Sequence, residues 1–361
     1  MQTTSAGTVA MNSTRVGVVD CDVHNHLDSV RDLYPYLSRR WRDHIERFGL
    51  RRYVGCNYPR FWYNREEARP PSGRQMGSEV GFVATDHLDR HGVAYGILNP
   101  LTSVGSLTNL ELDAALATAV NDWQVAEWLD VDRRLRASMV IPIEDPAAAV
   151  AEIRRREGDR RFVQVQFPGR PHQPMGRRAY WPIYEACAAQ GLHVMSHAFG
   201  SAGQPITGTG WPSFYIEDHI GPSQAMQANV VSLAVEGVFE AFPGLKVVSV
   251  ENAFGWMPSL IWRLDATWAL LKDELPHLRR PPSEYIAESV YLATQPIEEP
   301  PRPRYFDQLL EQYPPFRDHL MFSSDYPHWD GDGMDALPSS VPLDVQRLIY
   351  SENAKTLYRL P

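Results

Sequence analysis

Short apolar, β-branched runs alternate with longer stretches of helical period from one end of the chain to the other. The runs are Val16–Cys21, Val93–Leu98, Ala137–Ile143, Phe162–Phe167, Leu192–Ser196, Lys246–Val250, Ser289–Ala293 and Leu320–Ser323. Helical periodicity covers Leu110–Asp130, Pro146–Glu157, Arg177–Gln190, Gln224–Phe242, Trp256–Leu271, Tyr305–Gln312 and Leu343–Tyr358. Several of these segments end on glycine or begin after proline, as helices do. Continuous apolar strands alternating with amphipathic helices predict a parallel sheet covered on both faces. Eight such units are the number that closes a TIM (β/α)8 barrel, with a doubly wound sheet as the alternative.

Two connections are too long for simple loops, Leu27–Ser78 and Gly200–Ser223, and in a barrel both would lie over the C-terminal face. The first is a lid-like insertion after strand one. It carries Arg39, Arg40, Arg42, Arg51, Arg52, Arg60 and Arg65 beside Tyr53, Tyr58, Trp62 and Tyr63. Guanidinium groups and flat rings together suit the grip of a carboxylate on a planar molecule, which makes Arg52 and Trp62 candidate substrate contacts. Arginine is common throughout, since only Lys246, Lys272 and Lys355 are lysines, so any one of these arginines could equally be an ordinary surface residue. The expected organisation is a frayed tail over residues 1–15 and a single barrel domain over 16–361, with 27–78 as its insertion.

The composition narrows the partners. The 361 residues carry 35 basic and 44 acidic side chains, a net charge of −9, and no basic stripe, which argues against nucleic acid. The longest apolar run, 92–101, is about half the roughly 20 residues of a membrane helix, so no membrane partner is expected. Cys21, Cys56 and Cys187 have no C-x-x-C spacing, and residues 1–15 lack an apolar signal core. A soluble protein of the reducing cytoplasm fits these features.

The sharpest chemical signal is Asp20-Cys21-Asp22-Val23-His24-Asn25-His26, at the end of the first apolar strand. Strand alternation turns Asp22, His24 and His26 the same way, and two imidazoles on one face can hold one divalent cation. The fifth strand ends in His193-Val-Met-Ser-His197, with His197 at the active-site end and His193 deeper, as a barrel-floor residue. The eighth gives Met321-Phe-Ser-Ser-Asp325-Tyr-Pro-His328; Asp325 could bind the metal, act as a base, or do both at different steps. The other histidines, His44, His87, His91, His172 and His219, fall in loops or on helices and read as surface residues, with His219, inside the long loop after strand five, the one to watch.

These motifs, with V-E-N-A-F-G-W-M-P before a helix and a closing E-N-A-x-x-L-Y, resemble the amidohydrolase-related proteins. Within them the pattern is similar to the branch of aminocarboxymuconate semialdehyde, γ-resorcylate and carboxyvanillate decarboxylases, over about Val16 to Leu360. The resemblance implies a metal-dependent TIM barrel, often a homodimer, with zinc or manganese held by His24, His26, His197 and Asp325. It also implies that Arg263, in the helix after strand six, reaches a substrate carboxylate across a subunit interface. The chain departs from the branch at one point. A histidine that shuttles a proton there, six residues before the helix-opening proline, is here Asn252, preceded by Glu251. An amide does not exchange a proton near neutral pH, so Glu251, Asp325 or His328 would take over that role.

The leading expectation is a non-oxidative decarboxylase of a small unsaturated or aromatic carboxylate, with Asn252, Arg263, Arg52 and Trp62 around the substrate. The alternative is hydrolysis of a lactone, amide or imine by metal-activated water with Asp325 as base. A third reading, a metal-free barrel used for binding, would require His24, His26 and His197 to be structural.

Overall fold

The computed structural model describes residues 17–50, 64–102, 107–201, 205 and 208–361. Residues 1–15 and the candidate contacts Arg52 and Trp62 therefore lie outside the described residues. Eight strands form one sheet in the order β1 to β8: Val18–Val23, Val93–Leu98, Leu135–Val140, Phe162–Arg170, His193–Ser201, Val247–Val250, Val290–Ala293 and Leu320–Met321. All seven neighbouring pairs are parallel. The ring is completed between β8 and β1, where Cys21 N–H donates to the Phe322 carbonyl at 2.9 Å and His24 N–H to that of Tyr326 at 2.8 Å. This is the TIM barrel that the alternation of apolar runs predicts.

Apolar side chains sort into two layers. Inside the ring lie Val19, Cys21, Ile97, Met195, Val248 and Met321, with Leu357 and Tyr358 of the last helix closing the floor. Tyr358 Oη donates to Gln164 Oε1 at 2.8 Å, and His193 Nε2 meets the Leu357 carbonyl at 3.0 Å, so these two polar groups of the floor are paired. A larger layer joins the outer strand faces to the helices. No helix among the described residues is long and apolar enough to cross a membrane.

Several helices differ from the periodicity. The stretch 224–242 is two helices, Pro222–Val235 and Val238–Ala241, because Gly237 adopts φ +83° between them, a conformation suited to glycine. The segment 343–358 runs as Leu343–Arg347 and Asn353–Tyr358 around a wider, π-type turn at Leu348–Glu352. Helices at Arg39–Phe48, Tyr215–Ile220 and Pro282–Ser289 were outside the predicted set. Of the insertion after β1, the described part meets the barrel mouth: His26 N–H donates to the Gly77 carbonyl at 2.8 Å and Asn64 bridges His328.

The β8–β1 seam carries a buried carboxylate. Asp20 Oδ1 accepts from Ser324 N–H at 2.9 Å and Asp22 N–H at 3.1 Å, while its Oδ2 accepts from Ser324 Oγ at 2.5 Å and pairs with His87 Nε2 at 2.7 Å. His87, read from sequence as a surface residue, is 2% exposed and stacks on Tyr326 with ring centres 4.5 Å apart. Its helix packs inward at this position, so the ring has no route to water. Removing a buried partner strands the charge or donor opposite it. Asp20→Ala should therefore cost about 3–5 kcal/mol in urea unfolding. Asp89→Ala, which breaks an exposed pair with Arg134, should cost about 1 kcal/mol or less. Equal midpoints for the two variants would refute the role given to Asp20.

Candidate active site

Four strand ends deliver the site. β1 presents Asp22 and His24, β5 presents His197, β6 leads into Glu251 and Asn252, and the turn after β8 carries Asp325 and His328. This is the C-terminal face of the barrel, where diverging loops leave space for ligands. Glu251, Ala253 and Asp325 have φ of +58°, +54° and +57°, although none is glycine. Such left-handed backbone is costly for L-residues and persists where surrounding contacts impose it. After β6 those contacts include Glu298, whose Oε1 accepts the Phe254 N–H at 3.0 Å and the neighbouring Gly255 N–H. A side chain at Gly255 would meet that same oxygen at 2.6 Å, which explains the glycine.

His24 is at the centre. Its Nδ1 faces the Asn99 carbonyl at 2.7 Å, and its Nε2 lies 2.6 Å from Asp325 Oδ1 and 3.5 Å from Asp22 Oδ1. With acceptors on both nitrogens, the ring is held as a cation: burial pulls its pKa down, but Asp22 and Asp325 outweigh this and bring it to about 9. His328 Nδ1 lies 2.7 Å from the same Asp325 oxygen, and its ring stacks on His24 at 4.3 Å. His197 Nε2 is 3.4 Å from both Asp22 Oδ2 and Glu251 Oε2. His26 lies parallel to His24, ring centres 6.0 Å apart, with Nδ1 against the Met76 carbonyl at 2.9 Å. Burial and the neighbouring His24 and His328 lower its pKa to about 3, which keeps the ring neutral.

The carboxylates respond in opposite directions. Burial raises Glu251 well above the ordinary range, and Asp325, Asp22 and Asp330 push it further, so it keeps its proton. Asp325 is buried too, but His328 and His24 overcome that penalty and hold it ionised. Asp22 likewise stays ionised, burial being outweighed by His24 and His197. Its Oδ1 accepts from Asn99 Nδ2 at 2.8 Å, while Oδ2, buried, accepts no hydrogen bond among the described residues. One donor atom each from Asp22, His24, His197 and Glu251 falls within 4.8 Å of the others, and the same holds for His24, Asp325 and His328. Imidazole nitrogens and carboxyl oxygens at this spacing, one of them a buried oxygen with no hydrogen bond, match the donor set of a divalent cation once His24 gives up its proton.

The structure thus brings His24, His197, Asp325, Glu251 and His328 together, with His26 at the edge of the group. Asn252 is 3% exposed, and its Nδ2 donates to the Ser196 and Val250 carbonyls at 3.2 and 2.7 Å. Arg263 is exposed on the outer side of helix Met257–Leu271. Asp22 was visible through strand alternation but was not assigned a role from sequence. Asn99, Gln295 and Asp330 were missed altogether; single polar residues in loops leave no periodic signal.

Comparison with known proteins bears on the fold and the family. γ-Resorcylate decarboxylase of Polaromonas sp. (strain JS666) is 24% identical over 256 residues, covering 66% of this chain and 74% of that protein. Among solved structures, 5-carboxyvanillate decarboxylase from Sphingomonas paucimobilis superposes with a TM-score of 0.70 at 20% identity, covering 96% of this chain and 100% of that one. Dihydroxybenzoic acid decarboxylase from Polaromonas sp. JS666, with bound manganese and the inhibitor 2-nitroresorcinol, gives 0.65 at 17%, covering 95% and 97%. At these identities the structural likeness speaks for the fold alone. The sequence model of the amidohydrolase family matches residues 21–360, from the first metal-type motif of β1 to the floor of the barrel, and the chain belongs to that family.

Proposed function

We propose that this protein is a metal-dependent, non-oxidative decarboxylase of a small aromatic or unsaturated carboxylate. The observation that carries this reading is the buried cluster of imidazoles and carboxylates at the barrel mouth, with Asp22 Oδ2 lacking a hydrogen bond and Glu251 keeping its proton. The decarboxylase names of the relatives support the reaction class.

His24, His26, His197 and Asp325 would hold one divalent cation, zinc or manganese, and the open Asp22 oxygen makes it a further ligand candidate. When bound, that cation supplies Lewis-acid stabilisation of negative charge on substrate oxygens. The Met76 and Asn99 carbonyls fix His26 and His24 through their Nδ1 atoms, which leaves Nε2 of each as the nitrogen that would bind the cation. Glu251 holds the proton destined for the carbon that loses carbon dioxide, and His328 keeps Asp325 ionised. Asn252 would offer Oδ1 to a substrate hydroxyl, while Arg52, Trp62 and Arg263 would take the carboxylate and ring.

A homodimer belongs to the same proposal. Helix Met257–Leu271 leaves Trp262, Leu270 and Leu271 exposed, and Phe214, Ile216 and Ile220 are also exposed, more apolar surface than a monomer needs. The cytoplasmic setting is supported by Cys21 and Cys187, both buried and free. Hydrolysis remains the second reading, favoured by one observation: Asn252 places a non-titrating amide where the decarboxylase branch has its proton shuttle.

Elemental analysis should find about one zinc or manganese per chain. Without metal, His24 is protonated up to about pH 9, and a ligand must be neutral, so metal uptake at pH 7 should release a proton. Affinity should accordingly rise with pH and weaken on acidification. Calorimetry in buffers of different ionisation enthalpy measures this, and zero proton release would contradict it.

Glu251→Gln keeps size but cannot give up a proton. Carbon dioxide release should fall by about 10²–10⁴ with metal content unchanged. A loss of metal affinity of about 10–100-fold instead would make Glu251 a ligand-orienting group. A panel of carboxylated aromatics and lactones separates the two reaction classes: carbon dioxide release supports the first, and lactone opening alone supports the second.

A further inference from the structure

Inside the barrel, polar side chains form a file that runs from the floor to the cluster at the mouth. It crosses four adjacent strands: Tyr358 of the closing helix meets Gln164 on β4, Gln164 meets Ser138 on β3, Ser138 meets Asn99 just after β2, and Asn99 meets Asp22 on β1. Asp22, Asn99, Ser138 and Gln164 are fully buried, and Tyr358 is nearly so. Buried polar groups add stability only while each keeps its partner, so such a file calls for a reason beyond packing.

Each bond fixes the direction of the next. Asn99 Nδ2 faces two acceptors, the Cys21 carbonyl at 3.0 Å and Asp22 Oδ1 at 2.8 Å, so the amide is oriented and its Oδ1 points the other way. That oxygen accepts the Ser138 hydroxyl at 2.5 Å, which leaves Ser138 Oγ to accept from Gln164 Nε2 at 2.9 Å. Gln164 Oε1 is then turned to Tyr358, whose hydroxyl donates at 2.8 Å. Burial, with Cys21 and Asp22 adding to it, raises the phenol well above its ordinary pKa, so it remains a donor. All the donors thus point from the floor towards Asp22. The file ends on Oδ1 and leaves Oδ2 facing His197 Nε2 at 3.4 Å. The Asn99 carbonyl also holds His24 Nδ1, so one residue sets two members of the cluster.

We propose that Tyr358 is a positioning residue for the metal site: through Gln164, Ser138 and Asn99 it sets which oxygen of Asp22 is engaged by the protein and which is left for the cation. This rests on the metal-dependent part of the reading above, not on the choice between decarboxylation and hydrolysis. With the hydroxyl gone, Gln164 Oε1 is left without this donor, the Gln164 amide and the Ser138 hydroxyl can reverse, and Asn99 loses the bond that turns its Nδ2 to Asp22.

The test is calorimetric binding of Mn²⁺ and Zn²⁺ to the metal-free full chain, with the visible spectrum of the Co²⁺-loaded form. In Tyr358→Phe the affinity should fall about 10-fold and the cobalt bands should shift, since they report ligand geometry. Ser138→Ala removes one oxygen from the middle of the file and should do the same. The double variant should lose little more than either single one, because one broken bond already interrupts the file. Tyr184→Phe is the comparison: Tyr184 is also buried, and its hydroxyl donates to the Met175 carbonyl at 2.5 Å, outside the file. It should lose stability in urea but keep wild-type affinity and spectrum. Folded Tyr358→Phe and Ser138→Ala with wild-type affinity and spectrum would overturn the proposal and leave the metal site standing. Losses that multiply in the double variant, or an equal loss in Tyr184→Phe, would also overturn it, by making the effect one of general stability. Wild-type protein that binds no divalent cation would overturn the metal site and, with it, the role of Tyr358.

Discussion

Asp20 joins the two ends of the barrel, and the active site depends on that joint. Strands β1 and β8 are the farthest apart in sequence, and β8 is only two residues long, so backbone pairing alone gives little to hold them. One buried carboxylate accepts from Ser324 twice, from Asp22 once, and pairs with His87. Ser324 and Asp22 flank the chemistry directly: one precedes Asp325, the other faces His24. The left-handed backbone of Asp325 is held by the bonds made one residue earlier, an instance of local strain maintained by surroundings.

Charge balance is the second constraint. Asp22, Glu251 and Asp325 would repel one another in a buried space, and the structure resolves this by two different means. Asp22 and Asp325 stay ionised because imidazoles face them, while Glu251, with three acids nearby, keeps its proton. A cation in the cluster would replace the proton on His24 and weaken the repulsion that holds the proton on Glu251. Metal binding and proton transfer are therefore coupled through the same few oxygens, and a substitution that changes one will shift the other.

Much of this was legible because strands and barrels are periodic. The apolar runs located all eight strands, and β2 was placed to the residue at Val93–Leu98. Alternation turns Asp22, His24 and His26 one way; in the structure Asp22 and His24 share one cluster, His26 lies at its edge, and Asp20, two residues before Asp22, faces His87. The β1–β2 register shifts on both sides of this segment, and a shifted register breaks the parity on which such reading relies. His87 was misjudged for a related reason: its neighbours in sequence are those of a surface helix, and only the fold shows that its face meets the barrel seam. Gln295, Glu298 and Asp330 come from loops, where no period exists to announce them.

Position 252 is held by the same kind of constraint. Asn252 uses its amide hydrogens on two barrel carbonyls, so it braces β5 against β6 and cannot act as a titrating group. Glu251, one residue earlier in strained backbone, lies 3.4 Å from His197 Nε2 and has the carboxyl that this position lacks. A carboxyl enclosed this deeply is a good proton store and a poor proton collector, because the burial that raises its pKa also removes it from water.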